Sequence, residues 1–145
     1  MFKRILIATD GSELAERAAV QAFQLAKSLK AKVTAVMVTE PWLTMLAAAT
    51  AETFPYEEYE KLATQDATRG LAAISELAKK AELTCETRHV KDKYPAEGII
   101  AACKDLDCDL IVMGSHGRRG LEKLFLGSEA AKVLTLATVP VLTCR

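Results

Sequence analysis

No stretch of this chain approaches the roughly 20 consecutive apolar residues of a membrane-crossing helix. Charge of one sign is also missing in excess: 19 Lys and Arg balance 19 Asp and Glu. No basic surplus is available to grip a polyanion, so neither a nucleic acid nor a membrane is expected as a partner. None of the 4 cysteines, Cys85, Cys103, Cys108 and Cys144, forms a Cys-x-x-Cys pair. They fall in different predicted elements with no His-rich neighbour, so they are expected to be free thiols of a reducing compartment. Met1-Phe-Lys-Arg runs directly into a strand pattern without an apolar signal core, and a cytoplasmic protein is the expectation. The Gly-Lys-Ser/Thr phosphate loop of fast nucleotide hydrolases is absent as well.

What remains is 145 residues, 50% hydrophobic, with no internal repeat, low-complexity tract or linker. That length suits one domain over residues 1–145, large enough to bury one sound core.

Apolar runs and helical stripes alternate along it. Phe2 to Thr9 is a buried parallel strand, apolar throughout from Ile5 to Ala8. Asp10-Gly11-Ser12 turns the chain, with Ser12 as helix N-cap, and Leu14, Ala18, Ala22, Leu25 and Leu29 form the stripe of a first helix. Lys32 to Val38 is the second strand. From Thr39 to Pro55 the pattern breaks around Pro41, Trp42 and an Ala-rich patch, a loop with room for a short helical turn. Trp42 would lid a site there or cover the core. Glu57 to Ala81 is a long helix with Tyr59, Leu62, Ala63, Ala67, Ile74, Leu77 and Ala78 on one face. Gly70 sits inside it without a local reason, weakening it by about 1 kcal/mol relative to alanine. Leu83 to Val90 is strand three, and Pro95 opens a helix that buries Ala96, Ile99, Ile100 and Cys103. Leu110 to Met113 is strand four, Ser128 to Ala137 a helix with Ala130, Val133, Leu134 and Ala137 inward, and Val139 to Cys144 strand five.

Five strands alternating with helices give an α/β fold with a parallel sheet and right-handed crossovers. Two strand orders compete. In 3-2-1-4-5 the first and fourth strands are neighbours, and their turns flank one crevice where the order reverses. In 2-1-3-4-5 a third strand separates them.

Chemistry gathers between Asp109 and Val133. Strand four stops at Gly114, and Gly114-Ser115-His116-Gly117-Arg118-Arg119-Gly120 follows. Gly127-Ser128 then precedes an amphipathic segment. Strand, glycine loop and helix start, in that order, build anion sites. Several backbone N–H groups must converge on a phosphate; a Cβ would block the approach, and dihedrals with φ > 0 suit glycine. Ser128 falls where an N-cap is expected, its hydroxyl and the first-turn N–H groups facing the anion. Arg118, Arg119 and Lys123 add positive charge beside it. Asp10, after the first strand, either bonds its own turn or meets a ligand.

The spacing Gly114, two residues, Gly117, nine residues, Gly127-Ser128 resembles that of the universal stress proteins, in their ATP-binding branch. Ile5-Leu6-Ile7-Ala8-Thr9-Asp10-Gly11-Ser12 looks like the family's first strand and turn, and Val139-Pro140-Val141-Leu142 like its last strand. The resemblance covers nearly the whole chain. It implies the strand order 3-2-1-4-5 with helices on both faces, as in adenine nucleotide alpha hydrolase-like folds. It implies ATP, or ADP or AMP, with Mg²⁺ or Mn²⁺ beside the phosphates. By the same resemblance Asp10, Val38 and Met113, with Thr9 adjacent, wall the adenine side, while Gly114, Gly117, Arg118, Gly127, Ser128 and the N–H of residue 129 hold the phosphates. The chain departs from the pattern at residue 129, where Glu129 stands for a small or β-branched residue and would repel a triphosphate. A homodimer through the last strand is also implied; Pro140 places that strand at a sheet edge, where an unpaired ladder invites a second copy.

A dimeric stress or signalling protein that binds adenine nucleotide, and is not an enzyme beyond slow incidental hydrolysis, is therefore the expected function. The alternatives are a dimeric scaffold that has lost nucleotide and a slow ATPase using His116.

Overall fold

The computed structural model describes residues 1–48, 54–118 and 125–145. Five strands, β1 (Arg4–Ala8), β2 (Lys32–Val38), β3 (Cys85–Val90), β4 (Leu110–Gly114) and β5 (Val141–Cys144), pair in parallel in the order β3-β2-β1-β4-β5. Of the two competing orders, this is the one in which β1 and β4 touch, with Ile5 opposite Leu110 and Ala8 opposite Met113. The helices are α1 (Glu13–Leu29), α2 (Trp42–Ala48), α3 (Tyr56–Lys80), α4 (Pro95–Asp105) and α5 (Ser128–Leu136). The short α2 falls inside the stretch read as irregular.

Both faces of the sheet are covered, which is why its central strands are apolar without interruption. Ile5, Ile7, Val33, Ala35, Met37, Leu110 and Val112 pack against α1 and α3. Leu6, Ala8, Val36, Ile111 and Met113 pack against α4 and α5. Neighbouring residues on a strand thus serve opposite cores. The chain changes face after β3, because the crossover through α4 must carry it past β2 and β1 to β4.

Alanine lets α1 lie close on the sheet. Its buried line is Ala15, Ala18, Ala19, Ala22, Phe23 and Ala26, while Leu25 and Leu29, expected on the stripe, are only partly buried. The cap at Ser12 forms as expected, its hydroxyl accepting from the Ala15 N–H at 3.2 Å. At the far end Lys30, at φ 56°, closes the helix with its N–H on the Ala26 carbonyl.

Helix α3 corrects the sequence reading at its start. Leu62 is exposed and Tyr59 half-buried; burial begins at Ala67 and runs through Gly70, Leu71, Ile74 and Ala78. The reason is length. A helix of 25 residues spans about 37 Å, and the 7 residues of β2 about 23 Å, so the first turns overhang the carboxyl edge of the sheet. Leu134 is a second correction: it is exposed, because α5 covers the edge strand and buries only Ala130 and Val133 fully.

Gly70 now has its reason. A Cβ there would lie 2.8 Å from Met37 Sδ and 3.5 Å from Gly11 Cα. Its missing side chain lets α3 press against the turn that follows β1.

Candidate functional site

Side by side in the sheet, β1 and β4 deliver two loops to one crevice at their carboxyl ends. Asp10 joins them. Its Oδ1 accepts from the Ser12 N–H at 3.0 Å, the turn bond expected of any aspartate there. Its Oδ2 accepts from the Arg118 N–H at 2.8 Å, across the crevice. One carboxylate thus makes the turn bond and also ties the turn after β1 to the glycine loop after β4. Thr9 is buried beneath it; its N–H donates to the Val36 carbonyl at 3.0 Å and its hydroxyl accepts from Gly11 N–H at 3.1 Å.

The glycines are required by crowding more than by dihedral angle. Among the described residues only Gly11 has a glycine's positive φ, at 79°. A Cβ on Gly114 would lie 3.1 Å from Leu14 Cγ and one on Gly117 2.8 Å from Asp10 Oδ2. One on Gly127 would lie 2.9 Å from His116 Cα. Gly120, with Arg119 and Lys123, lies outside the described residues.

The start of α5 belongs to the same cluster. The Gly127 N–H donates to the Ser115 carbonyl at 2.7 Å, and the Ser115 N–H to the Cys144 carbonyl at 2.7 Å. Gly127, not Ser128, is the N-cap; Ser128 is the first helical residue and exposed. The shift follows from that close Gly127–Ser115 contact, which turns the chain one residue early. No side-chain cap closes the helix, so its opening N–H groups keep the partial positive charge of a helix start.

Glu129 is turned away from this point. Its Oε2 accepts from the Ala96 N–H at 3.0 Å and its Oε1 from Lys132 Nζ at 2.9 Å. Ala96 lies in the first turn of α4, whose N-cap Tyr94 makes no side-chain capping bond. Glu129 thus caps a neighbouring helix, and the charge expected to repel phosphate is offset by an N–H dipole and an ammonium.

Val38 ends β2 and Met113 is the last residue but one of β4, on the same carboxyl edge, Val38 half-buried and Met113 buried. Val38 is held by α4, where a Cβ on Gly98 would lie 2.6 Å from its Cγ1. Beyond Val38, Thr39 Oγ1 and His89 Nε2 are 2.8 Å apart. Burial and then the nearby Lys91 ammonium hold the His89 imidazole below its ordinary pKa of 6.5, against the opposing pull of Glu60. Trp42 is tied to the approach to α3: its indole N–H donates to the Phe54 carbonyl at 2.8 Å, and its ring meets Tyr56 edge-on at 5.8 Å.

Arg118 reaches a partner that sequence reasoning missed. Its Nη1 and Nη2 donate to Asp66 Oδ2 and Oδ1 of α3, at 3.0 and 3.2 Å. The available signal was Gly70, one helical turn after Asp66. His116 has Ser115 Oγ 3.3 Å from its Nδ1. Among the described residues no group of three or more His, Cys, Asp or Glu side chains is gathered to hold a metal ion. A metal here would rest on Asp10 and on oxygens brought by a ligand.

The arrangement brings the glycine loop, the start of α5, which has no side-chain cap, and the Asp10 carboxylate together at the carboxyl ends of β1 and β4. Comparison with known proteins agrees with the architecture. A sequence model of the universal stress protein family matches residues 1–145. A universal stress protein of Thermus aquaticus is 36% identical over 148 residues, covering 100% of each chain. The solved structure of a hypothetical protein of Methanocaldococcus jannaschii superposes with TM-score 0.82 at 30% identity, covering 99% of this chain and 96% of that one. A universal stress protein of Archaeoglobus fulgidus, solved in complex with dAMP, superposes with TM-score 0.73 at 21% identity, covering 99% of this chain and 98% of that one. At that identity the likeness concerns the fold.

Proposed function

This chain belongs to the universal stress protein family, and on that premise we propose that it binds adenine nucleotide across the carboxyl ends of β1 and β4 and acts as a dimeric stress-response or signalling protein. The observation that carries this reading is the Asp10–Arg118 bond across the switch point, with the uncapped start of α5 fastened to the same loop. Thr9, Asp10, Val38 and Met113 would take the nucleoside. Gly114, Gly117, Arg118, Gly127, Ser128 and the Glu129 N–H would take the phosphates. A carboxylate offers about four lone-pair sites; Asp10 uses two, leaving two for a ribose hydroxyl or a hydrated Mg²⁺ or Mn²⁺. The dAMP complex of a protein with this fold supports the ligand class.

Catalysis plays little part. Binding rather than turnover fits such a site, in a cytoplasmic protein.

The dimer reading is supported at β5. This edge strand carries the exposed Leu142, and two surface hollows flank it. One, of about 450 Å³, is lined by Arg17, Val20, Gln21, Cys144 and Arg145; the other, of about 290 Å³, by Phe2, Leu25, Leu110, Pro140, Val141 and Leu142.

Acid extraction of the purified protein, with calorimetric titration of ATP, tests the reading beside Gly117→Val. Adenine nucleotide is expected from the wild type and little from the variant, whose side chain would occupy the space against Asp10 Oδ2. Equal nucleotide from both would place the site elsewhere. No nucleotide and no heat from the wild type would favour the scaffold alternative.

A further inference from the structure

Arg118 is held at both ends. Its backbone N–H is on Asp10 at 2.8 Å, and its guanidinium makes a two-pronged pair with Asp66 of α3. Between these anchors the side chain crosses Gly11, where an added Cβ would collide with Nη2. Asp66 is not there by accident of a surface rotamer. Gly70, one turn further along α3, brings that helix to the Gly11 backbone and fixes where Asp66 stands.

A carboxylate and a phosphate ask the same thing of a guanidinium: two parallel N–H donors on one edge. The described residues around this arginine bring two carboxylates, Asp10 and Asp66, and one guanidinium. A phosphate entering the glycine loop therefore finds the cation already neutralised. We propose that Asp66 is a positioning residue that sets the phosphate affinity of this site by competing with the ligand for Arg118. Phosphate binding draws the guanidinium off Asp66, and occupancy is thereby felt by α3. The inference rests on the nucleotide reading and deepens it by naming a control on the phosphate side.

The experiment is a double-mutant cycle read by calorimetry, with ATP and with adenosine. The proteins are the wild type, Asp66→Asn, Arg118→Gln and the double variant. Asp66→Asn removes the competing charge and keeps the shape. The pair is half-exposed, so ATP is expected to bind about two- to five-fold more tightly to Asp66→Asn, and adenosine with unchanged affinity. In the Arg118→Gln background the same substitution is expected to change nothing. Unchanged or weaker ATP binding to Asp66→Asn overturns the proposal. So does an equal gain for adenosine, or a gain that persists without Arg118, which would be a general field effect. A wild type that binds no ATP sinks the nucleotide reading itself, and this proposal with it.

Discussion

Glycine serves this chain in two physically different ways. At Gly11 the backbone stands at φ 79°, where an L side chain is strained. At Gly117, Gly127 and Gly70 the need is room, because oxygen, backbone or sulfur already fills the place of a Cβ. The sequence spacing marked these residues without saying which need each one met. The distinction gives a test at Gly127, where the obstacle is the His116 main chain and no side chain can swing aside. Gly127→Ala is expected to lower stability by about 1–3 kcal/mol in urea denaturation. An unchanged midpoint would mean that the loop yields freely. Glu129 is the other lesson at this scale. On a helix start it reads as a repellent for phosphate; in three dimensions it serves another helix.

That service is best judged at the level of elements. Helix α4 begins with Tyr94 and Pro95 and has no side-chain cap of its own. The carboxylate from α5 supplies one, which couples the two helices that cover this face of the sheet. Glu129→Ala is expected to cost about 1 kcal/mol of folding stability, measured by chemical denaturation; Glu129→Gln, which keeps an acceptor, should recover part of it. Loss of nothing in either variant would reduce the bond to a surface contact. Element boundaries followed the sequence closely where periodicity met a cap, as at Ser12 and Pro95. They missed the exposure of Leu62 and Leu134, because a stripe says which residues share a face, and only the neighbouring element says how far that face is covered.

For the molecule as a whole, the decisive feature is that β1 and β4 are adjacent. The apolar pattern was compatible with either strand order; 3-2-1-4-5 is the order that lets two loops share a crevice and the one the family resemblance implies. The thiols report on the integrity of the same packing. Burial pushes Cys85 and Cys108 up to about 11, and raises Cys103 and Cys144 as well. A thiol held neutral in the fold and free to ionise at 9.0 when unfolded makes the native state lose stability as pH climbs from 9 toward 11. At pH 8 a thiol reagent is expected to label the native protein slowly and all 4 cysteines rapidly in denaturant. Fast labelling of the native chain would show that these side chains open without global unfolding.

Composition and periodicity were enough to settle the α/β class and the succession of the strands and the longer helices, because each depends on residues close together in the chain; that the loops after β1 and β4 meet depends on the strand order, which local pattern left open. The partners of those loops were decided only by folding. Asp10 on Arg118, Arg118 on Asp66 and Glu129 on Ala96 join residues separated by 108, 52 and 33 positions. Such contacts depend on how closely helices approach the sheet, and local sequence pattern carries no measure of that distance.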